Sequence, residues 1–299
     1  MSLLVVGSVA LDDIEAPAGS VKGVLGGAAS YFGVAASFFA PVRVVAVVGD
    51  DFPEEHLRFL AGKGLDLTGL QRVPGRTLRW GGRYRESLNE RDTLFTELGV
   101  FEHFDPVIPP AYRDSEWVFL ANIQPTLQRR VLEQTRAPRF SAMDTMNFWI
   151  TGARAELEKT LAVVNGLVIN DEEARQLTGE ANLVRAADAI RALGPRVVIV
   201  KRGEHGALLF DEEGIFAAPA FPLREVRDPT GAGDAFAGGL MGALASDGRV
   251  DTDALRRAMI YGSVLASFCV ERFSLDRLRA LTRAEIDARF EDFRRLTRF

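Results

Sequence analysis

Asp228-Pro229-Thr230-Gly231-Ala232-Gly233-Asp234-Ala235-Phe236, continuing to Gly238-Gly239, is a glycine-rich turn that feeds an apolar helix. Gly231 and Gly233 carry no Cβ, so backbone N–H groups there can close on an anion. The helix N-terminus adds partial positive charge to the same place. Asp234 then stands beside an anion hole, where a carboxylate repels phosphate unless it has a chemical task. Taking a proton from an attacking hydroxyl is such a task. A plainer reading stays open on these residues alone: G-x-G patterns are common, and Asp234 can be a helix cap after a flexible loop.

Upstream, short apolar runs at 3–6, 42–48, 117–120, 140–143, 167–169 and 197–200 read as buried strands. Helical patterns are expected at 28–40, 53–62, 128–136, 153–163 and 183–193, and later at 232–245, 253–268 and 283–295. This alternation predicts a doubly wound α/β fold, a mainly parallel sheet with helices on both faces. The texture changes between about 65 and 104. There Leu78, Trp80 and Tyr84 alternate with Arg76, Arg79, Arg83 and Arg85, the pattern of a half-exposed antiparallel sheet. A small inserted sheet is predicted there, and a short antiparallel patch after Phe210.

The 299 residues carry 36 Lys+Arg against 41 Asp+Glu, a formal net charge of −5 without a long basic run, so nucleic acid is a poor partner. Cys269 is the sole cysteine, which excludes an intrachain disulfide and fits a reducing cytoplasm. Three histidines and one cysteine leave too few ligands for a Cys/His zinc site. The opening residues 1–7 lack a basic n-region, and no apolar run approaches the roughly 18 residues of a membrane span. A cytoplasmic protein without a membrane partner is expected.

The run 228–234 resembles the C-terminal signature of the ribokinase-like (PfkB) carbohydrate kinases, and the resemblance covers essentially the whole chain. Gly26-Gly27 before Ala28-Ala29-Ser30 resembles the family's paired-glycine signature. Asp12, shortly after Gly7, sits where the family places a substrate-binding Asp. Gly49-Asp50-Asp51 resembles its Gly-Asp-Asp segment. Asn170-Asp171-Glu172-Glu173 matches its Asn-x-x-Glu motif, and Lys201-x-Gly203-x-x-Gly206 a nucleotide-side glycine motif. The resemblance implies a single α/β kinase domain over 1–299 with lid strands inserted at about 14–24 and 65–104. It implies transfer of the ATP γ-phosphoryl group to an alcohol of a sugar or nucleoside.

Site roles follow from the same resemblance. Asp234 is the general base, and the amides of Gly231, Ala232 and Gly233 form the anion hole. Asp12, Gly26, Gly27 and Tyr31 face the acceptor; Lys201, Gly203 and Gly206 face the nucleotide. Asn170 and Glu173 hold Mg²⁺ through water, since Mg²⁺ keeps much of its hydration. Asp228 and Thr230 match positions near a monovalent cation in relatives activated by K⁺. Bland alternatives stand beside these. Asn170 and Glu173 fit a capping box, Gly26-Gly27 close packing, and Gly203 and Gly206 a hairpin turn. Lys201 is equally an edge-strand lysine, and Asp13 adjoins Asp12. The insert's arginines form a solvated face or pair with an anionic substrate group.

Three departures bear on the match. Tyr31 stands where many sugar kinases of the family have Asn. The family's Asp-x-Asn segment is represented, with different spacing, by Asp144-Thr145-Met146-Asn147, and Pro229 replaces the usual Thr. A sugar is the expected acceptor. The alternative is a nucleoside, on whose base Tyr31, Trp80 or Phe148 can stack. A Rossmann oxidoreductase is opposed by Gly7-Ser8-Val9-Ala10-Leu11, which lacks G-x-G-x-x-G after the first strand. A non-catalytic sugar sensor has no use for Asp234. Relatives often pair their lids, and exposed strand edges need cover, so a homodimer through the lid is expected.

Overall fold

A computed structural model describes residues 2–298. The first half runs β1 (Leu3–Val6), β2 (Ala10–Ala16), β3 (Gly19–Gly26), α1 (Ala28–Ala36), β4 (Val42–Gly49), α2 (Glu54–Gly62), β5 (Leu65–Val73), β6 (Arg79–Tyr84), β7 (Arg91–Glu97), β8 (Trp117–Leu120), α3 (Pro125–Gln134) and β9 (Phe140–Asp144). It continues with α4 (Asn147–Gly152), α5 (Arg154–Leu161), β10 (Gly166–Asn170), α6 (Asp171–Thr178), α7 (Leu183–Ala192), β11 (Val197–Lys201), β12 (Ala207–Asp211) and β13 (Gly214–Ala218). Four helices close the chain: α8 (Ala232–Asp247), α9 (Thr252–Cys269), α10 (Asp276–Ala280) and α11 (Arg283–Thr297).

The large sheet has nine strands in the order β13-β12-β11-β10-β9-β8-β1-β4-β5. It is parallel from β5 to β11, and β12 and β13 add the antiparallel patch expected after Phe210. Leu3 and Val5 pack into one hydrophobic core with α1, α8, α9 and α11, while Leu4 and Val6 pack into a second with α3, α5, α6 and α7. A strand buried on both faces has no polar face, which is why these strands read as unbroken apolar runs.

The small sheet has the order β3-β2-β6-β7. Its β2–β3 and β6–β7 pairs are antiparallel, but β2 and β6 run parallel. Two expected boundaries are corrected. The segment from Leu65 belongs to the large sheet, where β5 pairs in parallel with β4, so the second lid segment begins at Arg79. As an edge strand, β5 buries Leu65 and Gly69 and wets the residues between, and so it alternates as a lid strand does. The first lid segment begins at Ala10 rather than near 14, because Ala10 and Asp12 are buried and no change in polarity marks the start.

All parallel strands end on one edge of the large sheet, and the small sheet lies over that edge. The mooring is specific. Thr77, just before β6, donates its N–H (2.8 Å) and its hydroxyl (2.7 Å) to Asp51 Oδ1, and Gly49 N–H donates to Thr77 Oγ1 at 3.0 Å. At the far tip, Asn89 Nδ2 donates to Glu204 Oε1 at 3.2 Å. The lid thus spans the crevice at the carboxyl ends of the strands, the place where open α/β sheets bind ligands. Among the described residues, no helix is long and apolar enough to cross a membrane.

Candidate active site

The glycine-rich stretch does what its composition demands. Gly231 caps α8 in the left-handed region (φ 73°), and among the described residues no side chain caps the helix. The Ala232 N–H donates to Pro229 O at 3.2 Å, so of the three amides expected to face an anion this one is already engaged. Among the described residues, the Gly233 and Asp234 N–H groups have no protein acceptor, and they open at the positive end of the helix. The loop is held from below. Asp228 accepts the N–H groups of Thr230 (2.9 Å) and Ser274 (2.8 Å), and Thr230 Oγ1 donates to the lid's Tyr84 hydroxyl at 3.2 Å.

Strand ends deliver the other charges. Asp144 ends β9 and Lys201 ends β11; Lys201 Nζ lies 3.8 Å from Asp144 Oδ2. The same amine would stand 2.8 Å from a Cβ placed on Gly233, so it sits at the mouth of the helix N-terminus. Burial, then the charge of Asp144, pushes half-buried Asp234 up to about 7, with Lys201 and Arg91 opposing. Glu173 is raised to about 7 in the same order of causes. Burial works against the charge on Lys201, but Asp144, Glu173 and Asp234 together hold its pKa above the ordinary value.

On the acceptor side, β2 settles the choice between neighbouring aspartates. Strand alternation turns Asp12 inward, 3% exposed, and Asp13 outward, where it accepts the Gly23 N–H at 2.8 Å and pairs with Arg79 at 3.3 Å. A Cβ on Gly26 would collide with the Asp12 carboxylate, so these two predicted residues meet. Burial, then the charges of Asp228 and Asp234, pushes Asp12 up to about 8. Gly27 packs instead against the Ser8 carbonyl, which with the Ser8 hydroxyl holds the first amides of α1. Tyr31 is only 1% exposed: its ring lies under Gly231 and presents no face to a ligand.

Asn170 and Glu173 form a full capping box. Asn170 Oδ1 accepts the Glu173 N–H at 2.7 Å, and Glu173 Oε2 accepts the Asn170 N–H at 3.0 Å. Glu173 Oε1 accepts no hydrogen bond among the described residues, so the cap leaves one oxygen free. No group of three or more His, Cys, Asp and Glu side chains there could hold a metal ion. Gly203 and Gly206 form the turn between the antiparallel β11 and β12, closed by Arg202 N–H to Gly206 O at 2.7 Å.

Several residues of the site were missed by the sequence reading: Asp144 as the partner of Lys201, Ser274 as the second donor to Asp228, and Tyr84 and Arg91 of the lid. Asp144 carried a usable signal, being an acidic residue at the carboxyl end of an apolar run. The others become neighbours only through the lid and the turn before α10.

Fold and site together define a phosphotransferase acting on a small-molecule alcohol. Comparison with known proteins agrees: residues 3–278 match the pfkB family carbohydrate kinases, and the chain belongs to that family. A cytidine kinase from Thermococcus kodakarensis is 32% identical over 248 residues, 81% of this chain and 87% of the relative. Among solved structures, aminoimidazole riboside kinase from Salmonella enterica, complexed with aminoimidazole riboside and an ATP analog, has a TM-score of 0.77 at 23% identity, covering 97% of this chain and 100% of that one. A putative ribokinase II from E. coli, in complex with ATP and Mg²⁺, gives 0.79 at 19% identity over 97% and 99%.

Proposed function

We propose that this chain transfers the γ-phosphoryl group of ATP to an alcohol of a riboside, with Asp234 as the base that takes the hydroxyl proton. The observation that carries the reading is the placement of Asp234. It stands at an uncapped helix N-terminus beside free amides and the Lys201 amine, with a pKa raised to about 7. A base with that pKa is matched to neutral pH. The acceptor oxygen forms its bond to phosphorus as the bond to the ADP oxygen breaks, and the proton passes to Asp234. The Gly233 and Asp234 amides and Lys201 offset the phosphoryl charge, so the chain works chiefly by positioning and neutralising.

Among the described residues no three carboxylates converge on a metal position, but a hydrated divalent cation needs few protein ligands, and the capping box leaves one Glu173 oxygen free. Asn170 and Glu173 would hold Mg²⁺ through water, and when bound it draws charge from the phosphate oxygens. The bonds Asp228 accepts from Thr230 and Ser274 support bracing of the loop, and exchanging K⁺ for Na⁺ tests for a monovalent cation beside it.

For the acceptor, a riboside has more support than a free sugar: the relative at 32% identity is a cytidine kinase, and Asp12 beside Gly26 suits a pair of ribose hydroxyls. A panel of ribonucleosides and free sugars, read by ADP release, decides it. Turnover confined to free sugars would overturn the riboside, and no turnover with any acceptor would overturn the kinase. The open edges of β3 and β7 support a homodimer through the lid, which light scattering tests.

A further inference from the structure

Away from the crevice, α9, α11 and β13 enclose a cavity of about 250 Å³. Its lining divides into two chemistries. Phe216, Phe290 and Phe293 give it an aromatic interior, with Phe293 only 1% exposed. Arg256, Arg257 and Arg294 bring three cations, and among the described residues no carboxylate lines it. The nearby carboxylates do not balance these charges. Asp247 is held by Arg249 at 2.8 Å and stands 3.6 Å from Arg257, and Glu291 meets the exposed Arg294 at 3.4 Å. Arg256 has no ion pair among the described residues, and its Nε–H is shut away from solvent without an acceptor. Its guanidinium lies over the Phe216 ring, 5.7 Å from the centroid. A ring face attracts a cation but does not satisfy a buried N–H. The cavity is also remote from the transferring phosphate. Asp247, beside Arg257, is thirteen residues along α8 from Asp234. Arg256 is thirteen residues along α9 from Cys269, whose thiol meets the Thr230 carbonyl oxygen at 3.6 Å. At 1.5 Å per residue each path is about 20 Å.

We propose that this cavity is a second anion site, separate from the catalytic one, that takes a phosphomonoester carrying an aromatic ring. An apolar cavity of about 150 Å³ is enough for benzene, so the larger space here has room for one ring and one phosphate. The ring packs among Phe216, Phe290 and Phe293, where edge and offset contacts suit it. The phosphate oxygens accept hydrogen bonds from Arg256, Arg257 and Arg294, whose planar forks match phosphate bidentately. A bare inorganic anion leaves the rings unused. A neutral aromatic leaves the Arg256 Nε–H without an acceptor. The two halves of the lining therefore ask for the two halves of one ligand, which is bound and not chemically changed.

The probe is phenyl phosphate, titrated by calorimetry into wild type, Arg256→Ala, Arg294→Ala and Lys201→Met, with a thermal melt of each. One saturable site is expected in wild type. Arg256→Ala and Arg294→Ala should each weaken it about tenfold or more, the usual worth of a hydrogen bond to a charged group. Arg294 is exposed, so its variant keeps the test open should Arg256→Ala fold poorly. Lys201→Met, in the catalytic crevice, should bind as wild type does. Inorganic phosphate and phenol should each bind at least about tenfold more weakly than the ester. ATP KM of Arg256→Ala should stay within about twofold of wild type. No saturation below about 10 mM, or unchanged affinity in both arginine variants, would overturn the site. Loss of binding in Lys201→Met, or an ATP KM that rises in step with the loss in Arg256→Ala, would assign the anion to the catalytic nucleotide site instead. Inorganic phosphate binding as tightly as the ester would overturn the aromatic half of the proposal. The measurement reads binding, so a wild type inactive on every acceptor would sink the kinase reading and leave this test in force.

Discussion

Tyr31 lies directly beneath Gly231, so close that a Cβ on the glycine would collide with its ring. The pair explains two features of the chain at once. Position 231 must be glycine both for its φ of 73° and for the room the ring takes. Tyr31 is the floor of the loop rather than a wall of the acceptor pocket, and its hydroxyl is buried without a hydrogen-bond partner among the described residues.

Tyr31→Phe should therefore be silent in kcat and acceptor KM, and neutral or slightly stabilising. It removes a buried, unpartnered hydroxyl, and such a group costs roughly 1–3 kcal/mol. Tyr31→Leu should lower kcat by about tenfold and melting temperature by several degrees, because the loop loses its support. Steady-state kinetics and thermal melts of both variants check this. A large rise in acceptor KM for Tyr31→Phe alone would put the hydroxyl back at the substrate.

Asp234→Asn should lower kcat by roughly two to four orders of magnitude with folding preserved, the usual worth of general acid–base catalysis. The base works only when ionised, and its pKa is raised to about 7. Hence kcat/KM should climb about tenfold per pH unit below pH 7 and level off above it. Asp144 on β9 pushes that pKa up; Lys201 on β11 and Arg91 on β7 oppose. Lys201→Met should move the acid limb to higher pH. A wild-type profile flat from pH 5.5 to 8 would remove Asp234 as the titrating group.

What the sequence made legible follows from burial. Strands such as Leu3–Val6 touch a core on each face, so their apolar runs stand out whatever the tertiary detail. The β5 edge strand is half wet, so its alternation pointed to the wrong sheet. Asp12 and Asp13 are adjacent and chemically identical, and only strand period two tells them apart. The amide of Ala232 and the ring of Tyr31 depended on how the 229–231 turn closes, which no spacing encodes.

Glu173→Gln separates cap from metal. Gln at this position of a capping box can still accept the Asn170 N–H, so the helix should lose little stability. The Mg²⁺ concentration for half-maximal rate should nevertheless rise several-fold, because a carboxylate with one free oxygen is gone. The measurement is rate against Mg²⁺ at fixed ATP, beside a thermal melt. Unchanged Mg²⁺ dependence would leave the residue with its cap alone.

Asp12→Asn should show that the acceptor site is held at a cost in stability. Asp12 is 3% exposed and its folded pKa, raised by burial and then by Asp228 and Asp234, is about 8 against an ordinary 3.8. A carboxyl raised in this way is neutral in the folded protein at low pH, so the shift carries no penalty below pH 4. As pH rises the unfolded chain releases the proton more readily than the native state, and stability falls until about pH 8. The isosteric amide cannot ionise, so its advantage should be absent at pH 4 and largest at pH 8 and above. There a rise of several degrees in melting temperature is expected. Function should move the other way. A carboxylate can accept hydrogen bonds from two acceptor hydroxyls, and the amide presents only one good acceptor, so acceptor KM should rise tenfold or more with ATP KM little changed. Melts at pH 4, 6 and 8 with kinetics at pH 8 make the comparison. A variant less stable than wild type at pH 8, or one with unchanged acceptor KM, would show that Asp12 belongs to the lid rather than to the substrate.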